Sequence, residues 1–303
     1  MAQLQLSKNR NRIRTSTGSR VFDVCNIAFM FLFLIVTLYP FWYVVMVSLS
    51  NGKAVLAGKV SLWPVDMTLA TYKVVLSDNS ILGGLKNSVI YTVLGTIINL
   101  TMSILCAYPL SRRDLDGRKW FMRLIVFTMF FSGGMIPTYL VINQMGMLDS
   151  IWAMIIPGAI STYNMIVMRT FFMGISDSLY ESASLDGAND MRILLSIVLP
   201  ISKPILATML LFYAVGHWNE YMRGLLYLNK KAMFPLQNIL RNMVVDGQLT
   251  GATTEVGGGS DFSVIETTMK YAVIVISTLP IILIYPFVQK YFVKGVMIGS
   301  LKG

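Results

Sequence analysis

Six apolar runs, each near the length of a bilayer crossing, constrain this chain more than any other feature. A helix needs about 20 apolar residues to cross about 30 Å of hydrocarbon. Residues 24–49, 88–110, 121–144, 151–172, 202–221 and 264–293 meet that need, some with polar interruptions. In lipid every backbone N–H and C=O must be satisfied within the protein, so such runs fold as helices. The prediction is an all-α membrane protein of six transmembrane helices. Hydrophobic residues make up 55% of the chain and charged residues 13%, too little charge to clothe a soluble domain of this length. The last run is longer than a crossing requires, and Ser263 with Glu266 forms an S-x-x-E capping box at its start.

The net charge of +10 does not gather on one face. Basic residues flank the apolar runs, as the positive-inside rule expects, and no nucleic-acid partner is predicted because paired basic helices and aromatic platforms are missing. Lys8, Arg10, Arg12, Arg14 and Arg20 precede the first run. That run is too long for a signal-peptide core and no small-residue cleavage site follows, so it reads as a retained span with its basic tail inside. Arg112, Arg113, Arg118, Lys119 and Arg123 outweigh Asp114 and Asp116 between the second and third runs. Alternation then puts both termini and residues 175–200 in the cytoplasm, although Lys53, Lys59, Lys230 and Lys231 fall outside. The expected organisation is a cytoplasmic basic tail (1–23), a multi-pass domain in the bilayer (24–294) with an inner loop (175–200) and an outer loop (222–261), and a cytoplasmic tail (295–303). Cys25 and Cys106 lack metal-ligand spacing and read as small core residues.

Outside the membrane, residues 51–86 carry Trp63-Pro64, an interfacial turn. In the second outer segment Leu236, Ile239, Leu240, Met243 and Val244 recur at helical spacing, so an amphipathic helix should start near Pro235 and rest on the membrane surface or on neighbouring spans. Residues 247–260 are rich in Gly and Thr and read as a loop.

No Walker A motif, metal cluster or Ser/His/Asp set is present, and His217 is the single histidine. If ATP drives this protein, another chain binds the nucleotide. The polar stretch after the fourth run is more informative. Ser178 and Glu181 fit a capping box, Leu179, Ser182, Ala183 and Asp186 share a helical face, and Gly187 suits a positive φ that ends the helix. Asn189 or Asp190 is placed to cap a second helix over residues 191–199, before Pro200 and Pro204 open the fifth span. The product is a helix–turn–helix finger, either a partner-docking element or a well-capped loop. Near the far end of the fifth run, Trp218, Asn219 and Glu220 combine an aromatic face, an amide and a carboxylate. They suit a polar pathway or gate, or equally an interfacial belt. Asn164 and Arg169 read as helix glue and as a snorkelling cation.

Glu181-Ser182-Ala183, three residues, Gly187, nine residues and Ile197-Val198-Leu199-Pro200 resemble the cytoplasmic EAA loop of ABC-importer permeases, with Ser182 in place of the first Ala. Ile136-Pro137, Tyr139, Gly146-Met147-Leu148-Asp149 and Trp218-Asn219 are similar to segments of carbohydrate-importer permeases, and the ending from Gln289 to Gly303 resembles the glycine-rich tail of the maltose-permease type. The resemblance implies a type I importer fold in a bacterial cytoplasmic membrane, with no catalytic or metal-binding residue and no cofactor on this chain. It implies a second, similar permease, two cytoplasmic ATPase subunits that hold ATP-Mg, an extracytoplasmic sugar-binding protein and an oligosaccharide cargo. Glu181, Ser182, Ala183, Asp186 and Gly187 would couple to the ATPase, and the C-terminal tail would reach the ATPase dimer. The segment from Gly133 to Pro137 is most similar to permeases for complex or uronic-acid-containing oligosaccharides. An ion-coupled secondary transporter is the alternative; it usually needs ionisable residues within its spans, and here the acidic residues lie almost wholly in loops.

Overall fold

The computed structural model describes residues 17–245 and 267–286. The capping box of Ser263 and Glu266, the Gly/Thr-rich loop, most of the N-terminal tail and the whole C-terminal tail lie outside the described residues.

Among the described residues, three helices are long and apolar enough to cross a membrane unbroken: α1 (Thr17–Ser48), α4 (Asn79–Ser111) and α14 (Thr267–Pro286). Between α1 and α4 lie the short helices α2 (Gly52–Leu56) and α3 (Ala70–Ser77). Two other expected spans are pairs of helices bent at a short break. They are α5 (Arg118–Phe130) with α6 (Met135–Gln144) at 110° and α7 (Ile151–Gly158) with α8 (Thr162–Phe172) at 52°, while the expected fifth span is α11 (Lys203–Trp218), met at 84° by α10 (Asp190–Ile201) from the inner loop. Among the described residues the candidate spans thus number three by single helices and up to six when each bent pair is one crossing. α9 (Asp177–Leu185) precedes α10, and α12 (Met222–Tyr227) and α13 (Leu236–Val245) follow α11.

Local chemistry sets these limits. Asp78 caps α4, its Oδ1 accepting from the Ser80 N–H at 2.7 Å. Gly134, at a φ of +86°, supplies the left-handed backbone that lets α6 leave α5 at a steep angle. Arg20, in the expected basic tail, is helical, within α1. Side chains from Val21 to Trp42 are exposed around its whole circumference, the signature of a helix solvated by lipid or by another subunit. Cys25 is exposed there, contrary to a core position, and Cys106 is half-buried on α4.

α4 is the axis of the bundle, packed against α11, α8 and α13. Within lipid the hydrophobic effect does not drive helices together; close packing and interhelical hydrogen bonds do. The α4–α11 seam uses both. Ser103 and Tyr213 share a hydrogen bond at 2.6 Å, and His217 Nε2 meets Asn99 Oδ1 at 2.7 Å. A Cβ on Gly95 would lie 2.4 Å from the His217 ring, so glycine permits the approach. The amphipathic helix predicted near Pro235 is α13. Its Leu236, Ile239 and Met243 are buried against Val75 of α3, Ile81 of α4 and Met269 of α14, while Val244 is exposed. It rests on neighbouring helices.

Candidate functional site

The finger is built from α9, a turn at Gly187, and α10. Its second helix and turn follow the sequence closely. Gly187 has a φ of +75°. Its N–H reaches the Ser184 carbonyl at 3.0 Å, and the Ala188 N–H reaches the Ala183 carbonyl at 3.0 Å. This pair of bonds is a Schellman termination. The Asn189 side chain then caps α10, accepting from the Arg192 N–H at 2.8 Å. A π-turn at Leu194–Val198 comes before Pro200. Proline has no N–H for the carbonyl four residues back and its ring would strike that carbonyl, so the wider turn relieves the clash.

The start of α9 differs from the predicted capping box. The N-cap is Ser176 and makes no side-chain cap bond; Ser178 instead shares a hydrogen bond with Ser176 at 2.8 Å. Glu181 therefore stands in the second turn, exposed, and caps nothing. The earlier start has a physical benefit: Asp177 enters the first turn, where negative charge is favoured. The predicted shared face also splits. Ala183 is buried beside Tyr180, whereas Leu179, Ser182 and Asp186 are exposed.

The buried face locks the finger to the spans. Tyr180 and Ala183 pack in one cluster with Ala107 of α4, Phe172 of α8, Ile193 of α10 and Met209 of α11. The Arg112 guanidinium sits 4.3 Å over the Tyr180 ring, a cation–π contact. It also grips Asp114 through two hydrogen bonds of 3.1 and 3.0 Å, which hold the Asp114 carboxyl below its usual range. Burial pushes the Tyr180 hydroxyl up. Arg113 and Asp177 form an exposed ion pair at 3.4 Å, a type that contributes little to stability. A cavity of about 270 Å³ lies between α9 and the end of α4, with Arg112, Asp114, Phe172, Tyr180 and Glu181 in its wall. Arg169, expected to snorkel, donates from Nε to the Leu110 carbonyl at 2.7 Å and pins α8 to α4.

At the other end of α11 the structure separates the three residues grouped by sequence. Trp218 is buried and donates from Nε1 to the Ser277 carbonyl of α14 at 2.8 Å. Glu220 pairs with Arg223 at 3.3 Å and accepts from the Arg223 N–H at 3.1 Å. Asn219 alone is exposed, with a 3.5 Å contact from Gln237 Nε2. The neighbouring polar network was not foreseen. Asn99 donates to the Gly158 carbonyl while meeting His217, and Arg223 donates to the Met154 carbonyl at 3.0 Å. These bonds satisfy carbonyls left open where α7 breaks before α8. An Asn inside an apolar run was the available signal.

A second clasp joins distant segments. Asp149, at a φ of +56°, accepts from the Asn229 and Lys230 N–H groups at 2.5 and 3.0 Å. Those backbone donors hold its carboxyl below the ordinary range.

Comparisons with known proteins agree along nearly the whole chain. Residues 6–298 match the family described as "Binding-protein-dependent transport system inner membrane component". The chain is 46% identical to the polygalacturonan/rhamnogalacturonan transport system permease protein YtcP of Bacillus subtilis (strain 168), over 94% of this chain and 99% of that protein. It is 41% identical to protein LplC of the same organism, over 96% and 98% of the two. Its fold superposes with a TM-score of 0.84 and 36% identity on a chain of a bacterial ABC transporter involved in the import of the acidic polysaccharide alginate, covering 92% of this chain and 99% of that one.

Proposed function

We infer the role of this chain from its place in the family of binding-protein-dependent transport system inner membrane components, to which it belongs: it is a permease subunit of an ABC-type oligosaccharide importer. It has the type I importer permease fold. Beyond that, the proposal assigns ATP-Mg binding and hydrolysis to two cytoplasmic partner subunits, half of the pathway to a second permease, and delivery to an extracytoplasmic sugar-binding protein. Both termini are assigned to the cytoplasm. The cargo class is an oligosaccharide with acidic sugars, a reading supported by relatives named for polygalacturonan and for alginate.

The observation that carries the coupling assignment is the two-faced finger. Its inner face, Tyr180 and Ala183, is packed into the bundle; its outer face leaves Glu181, Ser182 and Asp186 exposed. A finger rooted in this way moves with α8 and with α11, which follows α10 directly. ATPase closure would displace it and tilt α11, whose far end holds the Asn99–His217 seam and Asn219. Nucleotide and cargo then shift the inward and outward states by their differential affinity for each. Trp218 and Glu220 act as supports of the gate, and Asn219 faces the pathway.

The test is uptake in a strain lacking this chain, across neutral and acidic oligosaccharides, with wild type or the Glu181→Lys variant supplied. Restored uptake of an acidic oligosaccharide with wild type, and its loss with an inserted Glu181→Lys chain that no longer retains the ATPase, is expected. Uptake that persists without the ATPase subunits would overturn the proposal.

A further inference from the structure

We propose that the N-terminal end of α5 and the C-terminal end of α8 form a binding site for a phosphate-bearing anion, supplied as the headgroup of an anionic membrane lipid. A cavity of about 290 Å³ there is lined by Arg118, Lys119, Met122, Arg123 and Arg169. Four of its five lining residues are cationic and none is acidic.

Two of the cations are held in place by neutral carbonyls. Arg169 donates from Nε to Leu110, and Arg118 donates to the Arg112 carbonyl at 3.2 Å. Neither contact cancels charge. The acidic residues nearest in sequence are Asp114, which is engaged by Arg112, and Asp116, which does not line the cavity. Residues 1–16 and 287–303 contain no Asp or Glu, so the terminal stretches have no acidic side chain to offer. Converging like charges repel unless an anion sits among them, and guanidinium groups match the geometry of phosphate oxygens. The helix end adds to this field. Gly117 is the N-cap of α5 and supplies no side-chain bond, and no acidic residue stands in the first turn, so the positive end of this helix of 13 residues adds to the same field.

Depth favours a lipid as the source. Trp120, 63% exposed, stands on the first turn of α5, and the exposed Phe121, Leu124 and Phe127 follow it. Aromatic side chains of this kind mark the headgroup level, and basic pockets between helices at that level suit lipid phosphates. A soluble anion answers the cations alone; a lipid also covers the apolar face of α5 beside them.

The experiment uses the full-length chain, purified in neutral detergent with the subunits that accompany it. Phosphatidylglycerol, phosphatidylcholine or inorganic phosphate is titrated, bound lipid is counted by native mass spectrometry, and the shift in melting temperature is followed. Two double variants are compared with wild type: Lys119→Gln with Arg123→Gln at the cavity, and Lys230→Gln with Lys231→Gln as an equal charge loss elsewhere. Each basic side chain near an anionic surface is worth roughly fivefold in affinity, so the cavity pair should weaken phosphatidylglycerol binding about 25-fold. The control pair and wild type should bind alike, and phosphatidylcholine should not compete. Equal binding by all three proteins, or equal loss in both variants, overturns the site. A shift with inorganic phosphate that matches phosphatidylglycerol, and that the cavity pair abolishes, overturns the lipid and assigns the site to a soluble anion.

Discussion

Replacing Gly187 separates backbone conformation from packing, because a Cβ there has nothing within 4 Å and φ is +75°. The cost of a substitution is therefore the left-handed backbone itself, about 1–2 kcal/mol for an ordinary L-residue. That energy lowers the population of the Schellman turn about 5- to 30-fold relative to competing loop conformations. Asn tolerates this region and should cost much less. A β-branched side chain is stiffer than Ala, so the expected order of damage is Val, then Ala, then Asn, with Asn near wild type. The defect should be confined to the finger, since α9 and α10 are each tied to the bundle by Tyr180, Ala183 and Ile193. Membrane insertion, measured by immunoblot, should be equal across the series. ATPase subunits that co-purify with the chain, and cargo-stimulated ATP hydrolysis in vesicles, should fall in the stated order. Wild-type behaviour of Gly187→Val, or a Gly187→Asn variant as damaged as Gly187→Val, would refute the argument.

Four further outcomes follow from other parts of the molecule. Glu181 does not cap its helix, so Glu181→Lys should leave thermal stability within about 0.5 kcal/mol while weakening ATPase docking by ~2–5 kcal/mol; an equal loss in both measurements would contradict the free-standing role. Asp149 has a folded pKa below the ordinary 3.8; its contribution is fully present above 3.8 and fades as pH falls through the lowered value. The melting-temperature difference between wild type and Asp149→Asn should accordingly be flat at higher pH and shrink only below that point, and a difference that grows on acidification would reverse the sign. Gly95→Ala drives a methyl group into the His217 ring and should cost about 1–3 kcal/mol, with partial recovery on adding His217→Ala; no recovery would place the strain elsewhere. A cysteine at Asn219 should react with polar thiol reagents in at least one transport state, because that side chain is exposed, whereas protection in every state would remove it from the pathway.

The parts legible in the sequence were those governed by local chemistry. The finger's turn was readable because Gly187, Asn189 and Pro200 each act on backbone within a few residues. The start of α9 was misread because Ser176, Asp177 and Ser178 are all competent near a helix end. The choice fell to a distant constraint, the burial of Tyr180 under Arg112 and beside α4. The apolar runs announced their number and approximate ends, yet hydropathy averages over a bend. The 110° break after α5 depends on a glycine dihedral and the 84° break before α11 on a turn at Ser202, neither of which changes the apolar content of the run.

The seam between α4 and α11 marks the deeper limit. Asn99 and Ser103 are four residues apart on one helix, and their partners His217 and Tyr213 are four apart on the other, in reverse order. Two polar contacts with matched spacing fix both the antiparallel direction and the register of the helix pair. A slip of one residue on α11 would rotate His217 and Tyr213 about 100° away from α4 and leave Asn99 and Ser103 buried among apolar groups, where unsatisfied polar atoms are costly. Asn99 and His217 stand out as polar residues within their runs but name no partner, and only the pairing, 118 positions apart for Asn99 and His217, turns the four residues into a register. Moving the clasp should therefore move the helix. Exchanging Asn99 and Ser103 would present the amide to Tyr213 and the hydroxyl to His217, and transport should fall although composition and hydropathy are unchanged.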